Sequence, residues 1–256
     1  MLMALSHLYS HVPLILGHRG ASADAPENTL AAFRLALAQG ADGVELDVTL
    51  SADDVPVVIH DDTLERTTTG AGRVHDFTLA QLKQLDAGYP AKFGQQFAGE
   101  RLPTLAEVFA DIGARAIINV ELKRDPSAEQ ALAAKALALI REHGMTQRVI
   151  VSSFHYENLR RVRALAAELP LGLLYDPAEP WRIAQAWLTA GVRAEAHHPY
   201  FPLFNAATRG LYRARGARVN VWTVNSEADL RAQMALGVEG LITNVPALAV
   251  RLRDTN

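Results

Sequence analysis

Several ionisable residues of this chain lie in two short apolar runs. Residues 43–50 read GVELDVTL and residues 116–123 read AIINVELK. Because side chains two residues apart in a strand point to one face, Glu45 and Asp47 share a face of the first run. Glu121 and Lys123 share a face of the second run in the same way. The pattern predicts three carboxylates and one ammonium group on one side of a sheet.

Three converging carboxylates need opposite charge. Two unit charges about 4 Å apart repel by about 4 kcal/mol at an effective dielectric constant near 20, so three such pairs cost on the order of 10 kcal/mol. A single strand carboxylate is most often one half of a structural ion pair, and Lys123 and Arg19 could offset part of this repulsion. A divalent cation offsets it more completely. Since Glu45, Asp47 and Glu121 offer only oxygen ligands, we predict one Mg²⁺ or Ca²⁺ ion.

Two histidines are predicted to lie beside these carboxylates. His18 ends the first candidate strand, in the run GHRG. A hairpin turning at Asp53–Asp54 would bring residue 60 opposite residue 47, and so His60 beside Asp47. Each histidine alone would as readily be a core residue as a catalytic one. Their convergence favours general acid–base catalysis, for which imidazole is suited at neutral pH.

The composition fits one α/β domain and excludes several classes of protein. The chain has 256 residues, 49% of them hydrophobic, with 25 Lys and Arg against 28 Asp and Glu and no Cys. The absence of Cys removes thiol nucleophiles, disulfides and thiolate zinc sites. There is no basic field for nucleic acid and no apolar run long enough to cross a membrane. Residues 1–13 lack the features of a secretory signal, so we expect a cytoplasmic protein. We further expect a monomer or homodimer without stable membrane association.

Short apolar runs alternate with helical stretches along the chain. The candidate strands are 13–18, 43–50, 116–123, 148–153, 171–175, 192–197, 218–224 and 239–243. The candidate helices are 29–39, 104–111, 127–143, 156–167, 181–189, 206–214, 226–235 and 246–252. Eight such units predict an α/β fold, a single (β/α)8 TIM barrel over residues 1–256. Active sites of these barrels form at the carboxyl ends of the strands, where the ionisable residues lie.

One segment interrupts the alternation. Residues 51–103 contain the hairpin and a loop too long for a simple connection, which predicts a small insertion after the second strand. A short apolar face in it is expected to pack on the barrel: Phe77, Leu79, Leu82 and Leu85. Before the insertion, Asn28 is the predicted N-cap of the first helix.

Aromatic and imidazole side chains flank the other half of the barrel. Trp222 shares a face with Asn220 on the seventh candidate strand and would close the far wall of the site. Glu195, His197 and His198 accompany the sixth strand, and only one of the two adjacent imidazoles can point inward. Their spacing assigns them no role.

Taken in order, these motifs resemble the glycerophosphodiester phosphodiesterase family. The runs that carry the likeness are HRGASADAPENTLAAF, GADGVELDVTL, VPVVIHDDTLERTT, NVELK, VSSF, VWTVN and GLITNVP. The likeness spans about residues 14–250 and implies a barrel with an insertion after the second strand. It implies one site with Glu45, Asp47 and Glu121 as metal ligands, His18 and His60 as acid and base, Arg19 and Lys123 on the phosphate, and Glu27 beside them. We add Trp222 to the substrate-binding residues.

Two positions and one run depart from the family pattern, and the run is EAHHPYFPL at the sixth strand, where the family usually has a polar Asn-His pattern. The family hairpin usually carries Asp-Gly where this chain has Asp53-Asp54, and aspartate adopts a left-handed conformation less easily than glycine. The family more often has aspartate at Asn244. We expect this change to remove a charge at the rim and to leave the other site residues untouched.

The resemblance implies metal-dependent hydrolysis of glycerophosphodiesters, such as glycerophosphocholine or glycerophosphoethanolamine, to sn-glycerol 3-phosphate and an alcohol. One alternative is lysophospholipase D or phospholipase C-like action on lipid phosphodiesters, which would require an apolar rim or lid. Another is a barrel that binds phosphodiesters without catalysis. A degenerate site of that kind would have lost at least one of the core residues, and none is lost here.

Overall fold

The structure is a computed structural model that describes residues 7–124, 131–176, 193–214, 216 and 218–255. Its strands are β1 (Leu14–His18), β2 (Gly43–Leu50), β3 (Pro56–Val58), β4 (Ile117–Leu122), β5 (Val149–Ser153), β6 (Leu171–Tyr175), β7 (Ala196–Pro199), β8 (Arg218–Val221) and β9 (Gly240–Thr243). Its α-helices are α1 (Leu30–Ala38), α2 (Leu79–Leu82), α3 (Pro90–Phe93), α4 (Leu105–Ile112), α5 (Leu132–Glu142), α6 (Tyr156–Leu165), α7 (Arg209–Ala214), α8 (Glu227–Leu236) and α9 (Pro246–Asp254). Short 3-10 turns lie at Val74–Asp76, Met145–Gln147 and Phe201–Leu203.

Eight parallel strands close into a barrel. They run in the order β1, β2, β4, β5, β6, β7, β8 and β9, and β9 pairs back onto β1. The predicted TIM barrel is therefore confirmed. The sixth strand begins at Ala196 rather than near 192 and extends to Pro199. The seventh ends at Val221 rather than 224. The candidate helix at 181–189 lies outside the described residues.

Alternation along each strand separates the core from the site. On β2, Val44, Leu46 and Val48 are fully buried in the main hydrophobic core that the helices cover. The opposite face of the strand carries Glu45 and Asp47. Within the described residues, no helix is both long and apolar enough to span a membrane.

The hairpin after β2 forms, although its register differs by one residue from the prediction. Val48 pairs with Val58 and Leu50 with Pro56, so Asp47 stands level with residue 59 and not with residue 60. The turn holds one more residue than the prediction assumed, because its ends pair at Ser51 and Val55. Asp54 adopts a φ of 60°, the left-handed conformation expected at this turn.

The insertion has a small core of its own beside β3. Leu82 is fully buried in a cluster with Val57, Ile59 and Leu64. The other three residues of the predicted apolar face, Phe77, Leu79 and Leu85, pack against the same cluster. This face is therefore directed inward and does not form an apolar rim.

Substitution of Gly43 is expected to disrupt the barrel where β2 meets β4. A Cβ atom at Gly43 would lie 1.8 Å from the Ile117 carbonyl oxygen. Since both strands are central, Gly43→Ala should lower the free energy of unfolding by more than about 3 kcal/mol. Urea unfolding monitored by circular dichroism measures the change.

Gly210→Ala is the matched control, because a Cβ there meets nothing within 4 Å and the residue lies in a helix. We expect this variant to be unchanged or up to about 1 kcal/mol more stable. Equal stabilities for the two variants would contradict the packing at Gly43.

Candidate active site

Three buried carboxylates form the floor of the site. Glu45, Asp47 and Glu121 each offer an oxygen, and these atoms lie within 4.8 Å of one another. The parallel register of β2 and β4 creates this proximity by pairing Asp47 with Glu121. Only 1% of the Asp47 residue is exposed, against 4% for Glu45 and 7% for Glu121. No other cluster of three such ligand residues occurs in the part of the chain that the structure describes.

The carboxylates differ in their electrostatic environment. Burial raises the pKa of Glu45 well above its usual range, and the charges of Asp47 and Glu121 add to the effect. Burial also raises the pKa of Glu121 to about 7. At Asp47, burial is outweighed by the charges of Lys123 and Arg19, so its pKa is lowered. Two of the three groups therefore resist ionisation unless further positive charge is bound.

Lys123 and Asn28 hold two of these carboxylates in place. Lys123 Nζ donates to Glu121 Oε1 at 3.0 Å and lies 3.4 Å from Asp47 Oδ1. Asn28 Nδ2 donates to Asp47 Oδ2 at 2.9 Å. The prediction of Asn28 as the N-cap is wrong: Thr29 caps α1, accepting from Ala32. Asn28 instead has a φ of 59°, which turns its side chain toward the carboxylates.

His18 is fixed by Asn244. The Asn244 amide oxygen can only accept, so His18 Nδ1–H donates to it at 2.7 Å, and Ser22 Oγ donates to the same oxygen. His18 Nε2 lies 3.9 Å from Glu45 Oε2. Burial lowers the pKa of His18 to about 4, and the charge of Arg19 contributes. The expectation that Asn244 leaves the other site residues untouched is therefore wrong.

Arg19 sits among three carboxylates. Its backbone N–H donates to Glu45, its Nε lies 3.3 Å from Asp47, and its NH1 donates to Glu27 Oε1 at 2.9 Å. The residue has a φ of 55°, and the tight turn continues through Gly20, where a Cβ would lie 2.6 Å from the Ala32 backbone. Glu27 is not among the residues that line the cleft. Glu27 instead contacts the guanidinium of Arg19, which does line the cleft.

His60 is fixed by the carboxylate that follows it. Its Nδ1–H donates to Asp61 Oδ1 at 2.6 Å, which leaves Nε2 as the nitrogen that can exchange a proton at the cleft. Burial lowers the pKa of His60, and Asp47 and Asp61 partly oppose that shift. Although the hairpin register differs by one residue, His60 still lines the same cleft as His18.

Several of these side chains line a cleft of about 160 Å³. Trp222 forms its far wall, as the sequence predicted, and packs edge-on against Phe154 with ring centroids 5.4 Å apart. The lining residues are His18, Arg19, Glu45, His60, Asn119, Glu121, Phe154, Leu174, Asp176, Trp222 and Ile242. The side of the cleft formed by β1, β2, β4 and His60 is therefore the charged side, whereas the lining from β5 to β9 is aromatic or aliphatic except for Asp176.

The adjacent histidines on β7 lie outside the cleft. His198 points into the barrel, where its Nε2 accepts from Asn220 Nδ2 at 3.0 Å. His197 points outward and stacks on Tyr175. Glu195 forms an ion pair with Arg163 at 2.7 Å. All three contacts are structural.

Sequence reasoning gave no supporting role to four residues whose side chains hold site residues: Asn28, Asp61, Arg66 and Asn244. It also missed five residues of the cleft lining: Asn119, Phe154, Leu174, Asp176 and Ile242. Asp61 had a signal, because a carboxylate adjacent to a candidate catalytic histidine is placed to orient it. Asn28 and Asn244 lie in loops, where strand alternation gives no direction for a side chain.

The fold and site define a barrel enzyme with a candidate metal centre at the carboxyl ends of its strands. The sequence profile of the glycerophosphoryl diester phosphodiesterase family matches residues 18–248, and the chain belongs to this family. A glycerophosphodiester phosphodiesterase from Caldanaerobacter subterraneus is 43% identical over 245 residues, covering 93% of this chain and 97% of that protein.

Two solved structures extend the comparison. An Oleispira antarctica phosphodiesterase in complex with the product sn-glycerol-3-phosphate is 32% identical with a TM-score of 0.82, covering 97% of this chain and 99% of that one. The glycerophosphodiester phosphodiesterase from Agrobacterium tumefaciens is 31% identical with a TM-score of 0.79, covering 93% and 98% of the two chains. The family predicted from the motifs is thus confirmed, and with it the class of phosphodiester hydrolase.

Proposed function

We propose that this enzyme hydrolyses glycerophosphodiesters to sn-glycerol 3-phosphate and an alcohol, with one Mg²⁺ or Ca²⁺ ion bound by Glu45, Asp47 and Glu121. The carrying observation is that two members of this acidic triad line one cleft with two histidines and an arginine, while the third, Asp47, lies buried beside them. The Oleispira antarctica relative, whose structure is a complex with the product sn-glycerol-3-phosphate, supports the choice of product. Glycerophosphocholine and glycerophosphoethanolamine are the proposed substrates.

The donor set fits a hard divalent cation. It provides three carboxylate oxygens and no sulfur, and burial alone disfavours the ionised forms of Glu45 and Glu121. Oxygen-only sites favour Mg²⁺ or Ca²⁺ over Zn²⁺. When bound, such an ion supplies Lewis-acid stabilisation of charge on phosphoryl oxygens.

Side chains in the cleft, and Lys123 beside it, supply the remaining chemistry. Arg19 and Lys123 bind the phosphoryl oxygens and stabilise the charge that develops on them. His18 and His60 each hold a proton on Nδ1 through a fixed acceptor, so each works through Nε2. One takes a proton from the nucleophile and the other gives one to the leaving alkoxide.

Release of sn-glycerol 3-phosphate from glycerophosphocholine tests the proposal. After exhaustive dialysis against EDTA, we expect turnover to fall at least 100-fold and to return when Mg²⁺ or Ca²⁺ is added. Full activity in EDTA would overturn the role of the metal. No turnover of any glycerophosphodiester, with lysophospholipid as the better substrate, would overturn the substrate class.

Asn28→Gly is expected to weaken metal binding while the protein stays folded. Glycine tolerates the φ of 59°, so the main loss is the hydrogen bond to Asp47 Oδ2. Removing a group that orients a ligand typically costs 10- to 100-fold in metal affinity, roughly the change expected here. Calorimetric titration with Mg²⁺ and Ca²⁺ measures it. Asn205→Gly, in the loop before α7, is the control and should bind as the wild type does.

A further inference from the structure

Arg66, in the insertion, binds two carboxylates at once. Its NH1 and NH2 donate to the two oxygens of Glu27 at 2.7 and 2.8 Å. Its Nε and NH2 donate to the two oxygens of Asp61 at 2.6 and 3.0 Å. A planar guanidinium presents its donors in a fixed fork, and two bidentate pairs use that geometry on two sides. Arg66 itself is not among the residues that line the cleft.

Each of these carboxylates holds a residue of the cleft. Asp61 Oδ1, which accepts from Arg66, also accepts from His60 Nδ1 at 2.6 Å. Glu27 Oε1, which accepts from Arg66, also accepts from Arg19 NH1 at 2.9 Å. A continuous hydrogen-bonded chain therefore joins His60 to Arg19 through Asp61, Arg66 and Glu27. Its two ends line the cleft on the charged side.

The guanidinium is held from a third direction as well. The Tyr89 ring lies over Arg66, with 5.7 Å between Cζ and the ring centroid. Tyr89 adopts a φ of 52°, an uncommon conformation for a bulky residue. The 37% exposure of the Arg66 side chain is moderate, and the Glu27 side chain is only 13% exposed. The insertion thus presents Arg66 to the barrel in a defined place.

We infer that Arg66 is a positioning residue that orients both His60 and Arg19 for the reaction, an inference that rests on the proposed function. Without the guanidinium, Asp61 and Glu27 lose their shared partner, and each is free to rotate away from the residue it orients. A lysine at this position has three donors on one nitrogen and cannot make both bidentate pairs. Arg66 therefore supports the site without lining the cleft itself.

Arg66→Met and Arg66→Lys test the inference through kinetics on glycerophosphocholine. We expect Arg66→Met to lower kcat/KM by roughly 10- to 100-fold, with both a lower kcat and a higher KM, because His60 and Arg19 are affected together. In Arg66→Lys, kcat/KM should regain less than a tenth of the value that Arg66→Met loses. Arg34→Met is the matched control: Arg34 makes the same kind of bidentate pair, with Asp111, on the exposed surface. It should behave as the wild type does.

Double-mutant cycles separate this role from general destabilisation. If Arg66 acts through Asp61, then Asp61→Asn should change kcat far less in the Arg66→Met background than in the wild type. If Arg66 also acts through Glu27, then Glu27→Gln should change KM far less in the Arg66→Met background than in the wild type. Effects that simply multiply in both cycles would overturn the inference.

A spectroscopic measurement tests the inference without turnover. In the wild type we expect a downfield, exchange-protected proton resonance from His60 Nδ1–H, assigned by its loss in His60→Gln. It should weaken or shift in both Arg66 variants and persist in Arg34→Met. An unchanged resonance in Arg66→Lys, or in folded Arg66→Met, would overturn the inference. Absence of turnover in the wild type would overturn the proposed function instead, and this measurement would still decide the role of Arg66.

Discussion

Glu45→Gln is expected to abolish turnover and at the same time to make the metal-free protein more stable at pH 8. The variant keeps an oxygen that can accept from the Arg19 backbone N–H, which now bonds to Glu45 Oε2 at 3.1 Å. It removes one charge from a triad whose ligand atoms lie within 4.8 Å of one another. Two ionised carboxylates at that separation repel each other by about 3 kcal/mol at an effective dielectric constant near 20.

The sign of the pH dependence follows from the raised pKa of Glu45 in the folded protein. Below pH about 4.5 the group is protonated in both the folded and unfolded states, so it has no differential effect. As pH rises above that value, only the unfolded state ionises freely, and the wild type loses stability. The advantage of Glu45→Gln should therefore be small at pH 4.5 and grow to about 1–3 kcal/mol at pH 8.

Added metal should reverse the order of stability. At 1,000 times its dissociation constant, a bound ion stabilises the wild type by about 4.1 kcal/mol, which exceeds the advantage of Glu45→Gln, whereas the variant gains little. Thermal unfolding of the wild type and of Glu45→Gln measures this difference under four conditions. These are EDTA or excess Mg²⁺ or Ca²⁺, each at pH 4.5 and at pH 8. Glu157→Gln on the surface of α6 is the control and should change stability by less than about 0.5 kcal/mol. A Glu45→Gln protein less stable than the wild type in EDTA at pH 8 would contradict the electrostatics of the triad.

The part of the site that strands carry could be predicted from the sequence, because a two-residue period fixes side-chain direction. That period placed Glu45 and Asp47 together, and parallel register then brought Glu121 beside them. His60 was harder, since its position depended on the length of a turn, and the turn proved one residue longer than assumed.

The supporting residues could not be predicted, because they lie where the backbone has no repeating pattern. Asn28 is turned toward Asp47 by a positive φ, whereas its residue type alone favours an N-cap. Arg66 contacts Glu27, which is 39 positions earlier in the sequence. This contact depends on how the insertion folds back onto the barrel, which neither composition nor residue spacing predicts. Local propensity predicts helices and strands. The contacts of Asn28 and Arg66 depend instead on how the loops pack over the barrel.

Loss of either imidazole is expected to have the second large effect. His18→Gln and His60→Gln should each lower kcat for glycerophosphocholine by roughly 10²- to 10⁴-fold, the usual contribution of a general acid or base. Glutamine keeps a polar side chain of similar reach but cannot exchange a proton in this way. His11→Gln, at a histidine whose side chain is 68% exposed, is the control and should be unchanged.

An activated substrate then distinguishes the two histidines. Glycerol 3-phosphate esterified to p-nitrophenol releases a phenolate that needs little protonation, so the residue that acts as general acid becomes nearly dispensable. We expect one of the two variants to recover at least tenfold relative to the wild type on this ester, while the other stays equally impaired. Both imidazoles hold Nδ1–H on a fixed acceptor and line one cleft, so each can exchange a proton only through Nε2. Equal losses on both substrates for both variants would contradict a division into acid and base.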